Sequence, residues 1–177
     1  MSAATPLHYI DAPKWADREA VINQVYPLSM FTRLCEGAVS DEGEVKVQVR
    51  LCRDSQSFIV LEGGLATRLA LVCQRCLEPV FVDVDTELRL WLLRHEEEAD
   101  RLPSDADYLV LSEDGQLALG EALEDELMLA LPLVPLHDDC EAYQVVAKAE
   151  QDEVKAASGR ENPFQALAAL KDHVEKK

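Results

Sequence analysis

Two long stretches in which hydrophobic and polar residues alternate constrain the fold of this chain more than any other feature. In GEVKVQVRLC (residues 43–52), valine or leucine fills every second position from Val45 onward, and charged or polar residues lie between them. VFVDVDTELRLWLLR (residues 80–94) repeats the pattern. A period of two is typical of a β-strand with one buried and one solvated face. Both stretches therefore predict strands of an antiparallel sheet with one covered face.

The segment between these stretches, SFIVLEGGLATRLALVC (residues 57–73), is also strongly hydrophobic. Its Gly63-Gly64 pair predicts a turn or bulge between two strands. DYLVL (residues 107–111) predicts a further strand after a charged loop. The sequence thus predicts a central antiparallel sheet over residues 43–111, with about four strands in its first part. This sheet is expected to be either open or closed in part into a barrel.

Helical patterns lie on both sides of the predicted sheet. APKWADREAVIN (residues 12–23) and PLSMFTRLCEGA (residues 27–38) each carry an early proline, which favours a helix start. LGEALEDELMLALP (residues 119–132) predicts a third helix that ends at its proline. Its regularly spaced leucines Leu119, Leu123 and Leu127 form one apolar stripe, which Leu131 would extend. The predicted fold class is therefore α+β, a central sheet with flanking helices.

The chain of 177 residues is long enough for one domain with its own core. We predict a single α+β domain over residues 1–140, followed by an acidic and polar linker over residues 141–161. NPFQALAALKDHVEKK (residues 162–177) predicts a short terminal helix. Its Phe164 is expected either to pack on the domain or to bind a partner, with packing favoured because exposed apolar anchors are a liability.

The N-terminal residues lack the basic and apolar regions of a secretion signal, and no apolar run approaches the ~18 residues of a membrane helix. We therefore expect a cytoplasmic protein without a membrane partner. The net charge is −17, and residues 95–162 contain 19 acidic but only 4 basic residues. A field of this sign repels phosphate backbones and attracts basic partners such as ribosomal proteins, although it also serves solubility. DNA is not an expected partner.

Two short motifs in the chain suggest a metal site. Cys73 and Cys76 form C-x-x-C within LVCQRCLEPV, and His137 and Cys140 form H-x-x-C about sixty residues later. Together they would supply the Cys₃His ligand set of a structural zinc ion. Two alternatives stay open: the cysteines pack as small hydrophobic residues, or the pair is redox-active. An odd number of cysteines in a chain without a secretion signal argues against a disulfide framework.

Motifs for catalysis are missing from the sequence. No phosphate-binding loop, dinucleotide-binding motif, zinc-protease motif or serine-nucleophile elbow occurs. His95 stands beside three glutamates, a pattern more typical of a solvated loop. Several arginines, among them Arg50, Arg68 and Arg89, fall on predicted strands, where a shared face would bind RNA. The aromatic stacking residues usual for such a face are sparse. We therefore expect no enzyme, and direct RNA binding is the alternative.

Three blocks of the sequence resemble one known family. LVCQRCLEPVFV, EALEDELMLALPLVPLHDDC and NPFQALAALK, in this order, resemble the YceD family, the bacterial large ribosomal RNA subunit accumulation proteins. The resemblance implies a cytosolic factor for synthesis, processing or stability of 23S rRNA, with no established enzymatic activity. Some members carry two cysteines where this chain has His137 and Cys140. The family offers no catalytic residues to transfer.

The predicted function is therefore that of a non-enzymatic ribosome biogenesis factor. An acidic surface would bind a basic ribosomal protein or a large-subunit assembly intermediate, and the C-x-x-C edge of the sheet would add a specific contact. A direct RNA-binding protein and a small acidic adaptor are the alternatives. The candidate partner-binding residues are Arg75, Arg89, Glu121, Glu124, Glu126 and Phe164.

Overall fold

Strands dominate the computed structural model, which describes residues 8–143. The strands of this part of the chain are β1 (Tyr9–Asp11), β2 (Val21–Pro27), β3 (Glu44–Arg53), β4 (Ile59–Val72), β5 (Pro79–Leu93), β6 (Asp107–Val110) and β7 (Gln116–Ala118). Three α-helices accompany them: α1 (Ala12–Ala16), α2 (Thr32–Glu36) and α3 (Leu119–Leu129). Short 3₁₀ turns occupy Leu28–Met30 and Glu96–Arg101. No helix within residues 8–143 has the length and hydropathy needed to cross a membrane.

The main sheet has five strands in the order β2-β3-β4-β5-β6, and β1 pairs with β7 in a separate ribbon. The predicted α+β class is confirmed. Strands β2 to β5 are antiparallel, as expected, but β6 runs parallel to β5, so the sheet is mixed. Strands β2 and β6 are the two edges and do not pair with each other. The alternative of a partly closed barrel is therefore wrong.

The alternating pattern places one face of the sheet in the core. Every second residue of β3 is buried from Val45 to Leu51, and the residues between them are exposed. The helices cover this face, with α1 against β3 and β4 and α3 against β5. Leu119, Leu123 and Leu127 of the predicted stripe are fully buried, because they lie on the face that α3 turns toward the sheet, whereas Leu131 lies beyond the helix end and is only partly buried.

Two segments differ from the sequence prediction. The Gly63-Gly64 pair lies in the middle of the single long strand β4, so β3, β4 and β5 are three strands where about four were expected. The helices predicted over residues 12–23 and 27–38 are both shorter than expected, and residues 21–27 between them form β2. Its β-branched residues pair along β3 from Val21 to Pro27, and this tertiary pairing outweighs a weak helical signal.

A buried carboxylate joins α2 to α3. Glu124 is only 6% exposed, and its Oε1 accepts hydrogen bonds from the backbone N–H groups of Arg33 (2.7 Å) and Leu34 (3.1 Å). Its Oε2 accepts a bond of 2.9 Å from Arg33 Nε. The same arginine also pairs with Asp125 at 2.7 Å. Glu124 thus satisfies backbone donors at the start of α2 that would otherwise lack partners.

We expect Glu124→Ala to lower the free energy of unfolding by about 3 kcal/mol, because it leaves two backbone N–H groups near the core without an acceptor. Urea unfolding followed by circular dichroism measures the change. Glu121→Ala is the matched control on the same helix, since the Glu121 side chain is exposed. Equal stability of the two variants would contradict the capping role of Glu124.

Candidate metal centre

The C-x-x-C motif forms the tip of the β4–β5 hairpin. The backbone of Cys73 donates to the carbonyl oxygen of Glu78 at 2.9 Å, and Leu77 donates back to Cys73 at 2.9 Å. These bonds close a tight turn between two paired strands, and Leu77 lies in the left-handed region with φ 65°. Both thiols therefore lie on one side of a rigid turn, as a metal-binding knuckle requires.

The H-x-x-C motif reaches this turn from the loop that follows α3. Gln74 donates its backbone N–H to Pro135 at 2.9 Å, and Tyr143 donates to the carbonyl oxygen of Arg75 at 2.8 Å. These two bonds fasten both ends of the loop to the hairpin tip. The structure thus brings together the four residues that the two motifs singled out as ligands, although the motifs are far apart in sequence.

The four ligand atoms lie within 4.8 Å of one another. Cys73 Sγ is 3.8 Å from Cys140 Sγ, and Cys76 Sγ is 3.3 Å from His137 Nδ1. A tetrahedral zinc site places two sulfurs about 3.8 Å apart and a sulfur and a nitrogen about 3.5 Å apart. A disulfide would require about 2.05 Å. The cluster therefore has the spacing of a metal site rather than of a disulfide.

The His137 ring is oriented for metal binding. Its Nε2 lies 3.1 Å from the carbonyl oxygen of Pro79, which can only accept a hydrogen bond. Nε2 must therefore carry the proton, and the lone pair of Nδ1 points toward Cys76. An outer hydrogen bond of this kind to a backbone carbonyl is usual for a histidine that binds a metal.

Backbone hydrogen bonds prepare one thiolate in the cluster. Burial alone would raise the pKa of Cys73, but hydrogen bonds from nearby backbone groups lower it from 9.0 to about 5. The backbone donors belong to Arg75, Cys76 and His137. For Cys76, a bond from the Glu78 backbone lowers the pKa, but burial and the neighbouring thiols outweigh it and raise the pKa. At neutral pH Cys73 is therefore ready to bind a cation.

Arg75 supports the cluster from the middle of the C-x-x-C turn. Its Nε donates to Cys140 Sγ at 2.9 Å, and its NH2 group donates to the carbonyl oxygen of His137 at 2.8 Å. The sequence interpretation assigned Arg75 to a partner surface, whereas its side chain faces the candidate metal ligands. The sequence could not show this position, because it depends on a contact with Cys140, which lies 65 residues further along the chain. A donor to a ligand sulfur steadies the ligand and offsets its negative charge.

The two other interpretations of the cysteines receive less support from the geometry. Cys73 is fully buried, as packing would require, but packing alone does not explain a histidine and two further sulfurs at ligand spacing. Redox-active pairs usually lie at a helix N-terminus. Here the pair lies between β4 and β5, and no helix of the described chain begins at either cysteine.

The strand arginines share the outer face of the sheet, but local partners engage them. Arg89 stacks over the Trp91 ring at 5.0 Å and lies 3.8 Å from Glu62, which also pairs with Arg50. Arg68 stacks over an aromatic ring in the same way at 5.2 Å and lies 3.7 Å from an aspartate on β5. These two carboxylates offset part of the positive charge, whereas the aromatic rings are neutral and only hold the guanidinium groups in place. The predicted arginine face therefore exists, and its charge is compensated in part.

The three acidic candidates on α3 differ in their surroundings. Glu121 is exposed, whereas Glu126 is half-buried. Burial raises the pKa of Glu126, and the nearby carboxylates Asp107 and Asp125 raise it further. Glu124 is buried and holds α2, so its carboxylate is not available to a partner. Phe164, the predicted linker from residue 144 onward and the predicted terminal helix lie outside the described residues.

Comparison with known proteins yields one family. The family model described as "Large ribosomal RNA subunit accumulation protein YceD" matches residues 61–171, a range that includes all four ligand candidates. The chain is 32% identical over 167 residues to the protein of that name from Haemophilus influenzae, covering 92% of this chain and 94% of that protein. No solved structure matches the chain.

Proposed function

Because the chain belongs to the YceD family of large ribosomal RNA subunit accumulation proteins, we propose that it acts in ribosome biogenesis and supports the accumulation of 23S rRNA. The proposed role is non-enzymatic and cytoplasmic. It fits a chain whose one cluster of candidate ligands, within residues 8–143, is a closed Cys₃His set. A catalytic metal site would keep an open position for water or substrate.

The proposed mechanism is capture of a basic ribosomal protein or a large-subunit assembly intermediate. The observation that carries it is the charge of residues 95–143, which contain 15 acidic residues and a single basic one, Arg101. That arginine lies over the Phe58 ring at 4.9 Å. A surface of one sign accelerates encounter with an oppositely charged protein and repels RNA phosphates. Holding a basic protein off incorrect RNA sites would favour correct assembly.

We also propose that Cys73, Cys76, His137 and Cys140 bind a structural zinc ion. Three sulfurs and one imidazole nitrogen are a common zinc ligand set, and they complete a tetrahedron without a free position. The ion would fasten the loop after α3 to the tip of the β4–β5 hairpin. Its contribution would be to stability and to the position of that loop, and not to chemistry.

Charge reversal tests the proposed mechanism. We expect Glu121→Lys with Glu126→Lys to reduce capture of basic large-subunit proteins from cell lysate about tenfold, because both carboxylates lie on the acidic surface. Because Glu126 is half-buried, thermal unfolding must first establish that the variant remains folded. Asp85→Lys with Glu87→Lys is the matched control on the outer face of the sheet, where both residues are exposed.

Capture from lysate is measured with and without ribonuclease, and both RNA and protein are quantified. Large-subunit proteins that remain bound after ribonuclease treatment agree with the proposed mechanism. If the captured material is mainly 23S rRNA and is lost after ribonuclease treatment, the proposed mechanism is contradicted. Direct RNA binding through the arginine face is then favoured. In that case Arg89→Glu should abolish RNA capture, and binding should fall steeply with salt.

A further inference from the structure

Large aliphatic side chains are exposed where α3 ends and in the loop that follows. Leu129 is 79% exposed and Leu133 is fully exposed, and Val134 and Leu136 are 57% and 47% exposed. We name these four residues the apolar ridge. Soluble proteins rarely leave such a concentration of aliphatic side chains in water within eight residues unless another surface covers them.

The apolar ridge is held in a defined conformation. Pro132 and Pro135 restrict the backbone of the loop. The carbonyl oxygen of Pro135 accepts a hydrogen bond from Gln74, and that of His137 accepts one from Arg75. Because the ridge is fixed before any partner arrives, docking there would cost little conformational entropy. A rigid, exposed apolar surface is the usual form of an interaction site.

Carboxylates surround the apolar ridge in sequence on both sides. Residues 121–143 contain seven acidic residues and no lysine or arginine. Asp138, Asp139 and Glu141 follow the ridge directly and are exposed. Glu121 precedes it on α3 and is also exposed, as is Asp125, whose charge is partly offset by its ion pair with Arg33. The ridge therefore combines an apolar centre with an acidic rim, which is the arrangement of a selective protein interface.

We propose that the apolar ridge is the docking surface for a basic polypeptide segment, in which apolar anchor residues are flanked by lysine or arginine. The proposal rests on the proposed function and specifies where on the chain the basic ribosomal protein binds. A second copy of this chain is disfavoured as the occupant, since it would bring two acidic rims together. An RNA is disfavoured because its phosphates would meet the same carboxylates.

The test uses the full-length chain and the proteins of purified large ribosomal subunits, stripped of RNA. The double variant Leu129→Asp with Leu133→Asp adds charge at the two most exposed positions of the ridge. The matched control is Val21→Asp with Val39→Asp, two exposed valines on β2 and in the loop that follows α2. Thermal unfolding establishes that both variants remain folded. We expect the ridge variant to bind the captured basic protein about tenfold or more weakly, and the control to bind as the unchanged chain does.

Equal binding by the ridge variant and the control would overturn the inference, as would the failure of the unchanged chain to capture any basic protein from this mixture. Sedimentation equilibrium tests the second copy: dimers of the unchanged chain that the ridge variant abolishes would assign the ridge to self-association instead. Deletion of the gene distinguishes a failure of the proposed function from a failure of the docking inference. If deletion leaves large-subunit rRNA unchanged, the proposed function fails. If deletion lowers it and the ridge variant restores it fully, only the docking inference fails.

Discussion

The purified chain is expected to bind about one zinc ion, and Cys73→Ser is expected to abolish that binding and to lower the melting temperature by about 10 °C or more. The reason is that the ligands come from two segments that only the folded chain brings together, so the free energy of metal binding adds to the free energy of folding. Cys73 is the sharpest choice, because it is fully buried and has the thiol with the lowered pKa.

Cys52→Ser is the matched control for this substitution. Cys52 lies on β3, outside the ligand cluster, and the same chemical change there should leave the zinc content unaltered. Metal content is measured by elemental analysis, and thermal unfolding is followed with and without a zinc chelator. One zinc ion retained by the Cys73 variant would contradict the assignment. So would a metal-free chain whose melting temperature does not respond to added zinc.

The parts of the fold that were predictable from sequence are those with a local periodic signal. Strands β3 and β5 alternate with period two, and the stripe of α3 repeats on one helical face. Each pattern indicates both the element type and the side that is buried. Strand β2 lacks the regular alternation of β3, and its pairing partner follows after a loop and two helical turns, so its local sequence did not distinguish strand from helix.

The direction of β6 was not predictable for a related reason. Its sequence, DYLV, is compatible with either direction, and the connection over residues 94–106 decides which one occurs. That connection contains a 3₁₀ turn, Glu96–Arg101, and returns the chain so that β6 lies parallel to the end of β5. A strand pattern identifies the element but carries no information about its neighbour's direction.

For the candidate site, the four clustered residues were predictable and their supporting contacts were not. Few residue types bind zinc, so the spacing of C-x-x-C and H-x-x-C singled out Cys73, Cys76, His137 and Cys140 as candidate ligands, and the structure brings them together. The role of Arg75 depends on a loop 65 residues away, and that of Glu124 on a backbone 91 residues away. In a sequence, a charged side chain that binds a partner cannot be told from one that holds neighbouring groups in place. Only its burial and its contacts in the structure distinguish the two roles.

Gly63→Ala is expected to reduce the free energy of unfolding by more than about 4 kcal/mol, the second large effect we predict. A Cβ at this position would lie 2.1 Å from the carbonyl oxygen of Gln48 and 2.6 Å from Val49 Cα. Both atoms belong to the backbone of β3, which cannot move aside without breaking its pairing with β4. The φ of 150° at Gly63 adds strain for any residue with a side chain.

Gly64→Ala separates this close approach from the general effect of replacing a glycine in a strand. A Cβ at Gly64 would meet only the carbonyl oxygen of Thr86 at 3.8 Å, an ordinary contact. This control should change stability by less than about 1 kcal/mol, because alanine there restricts the unfolded chain without strain in the folded one. Urea unfolding measures both variants. If they unfold at the same urea concentration, β3 and β4 do not approach as closely as Gly63 allows. If only the Gly63 variant is strongly destabilised, the Gly63-Gly64 pair, which resembles a turn in the sequence, is instead the point at which β3 and β4 approach most closely.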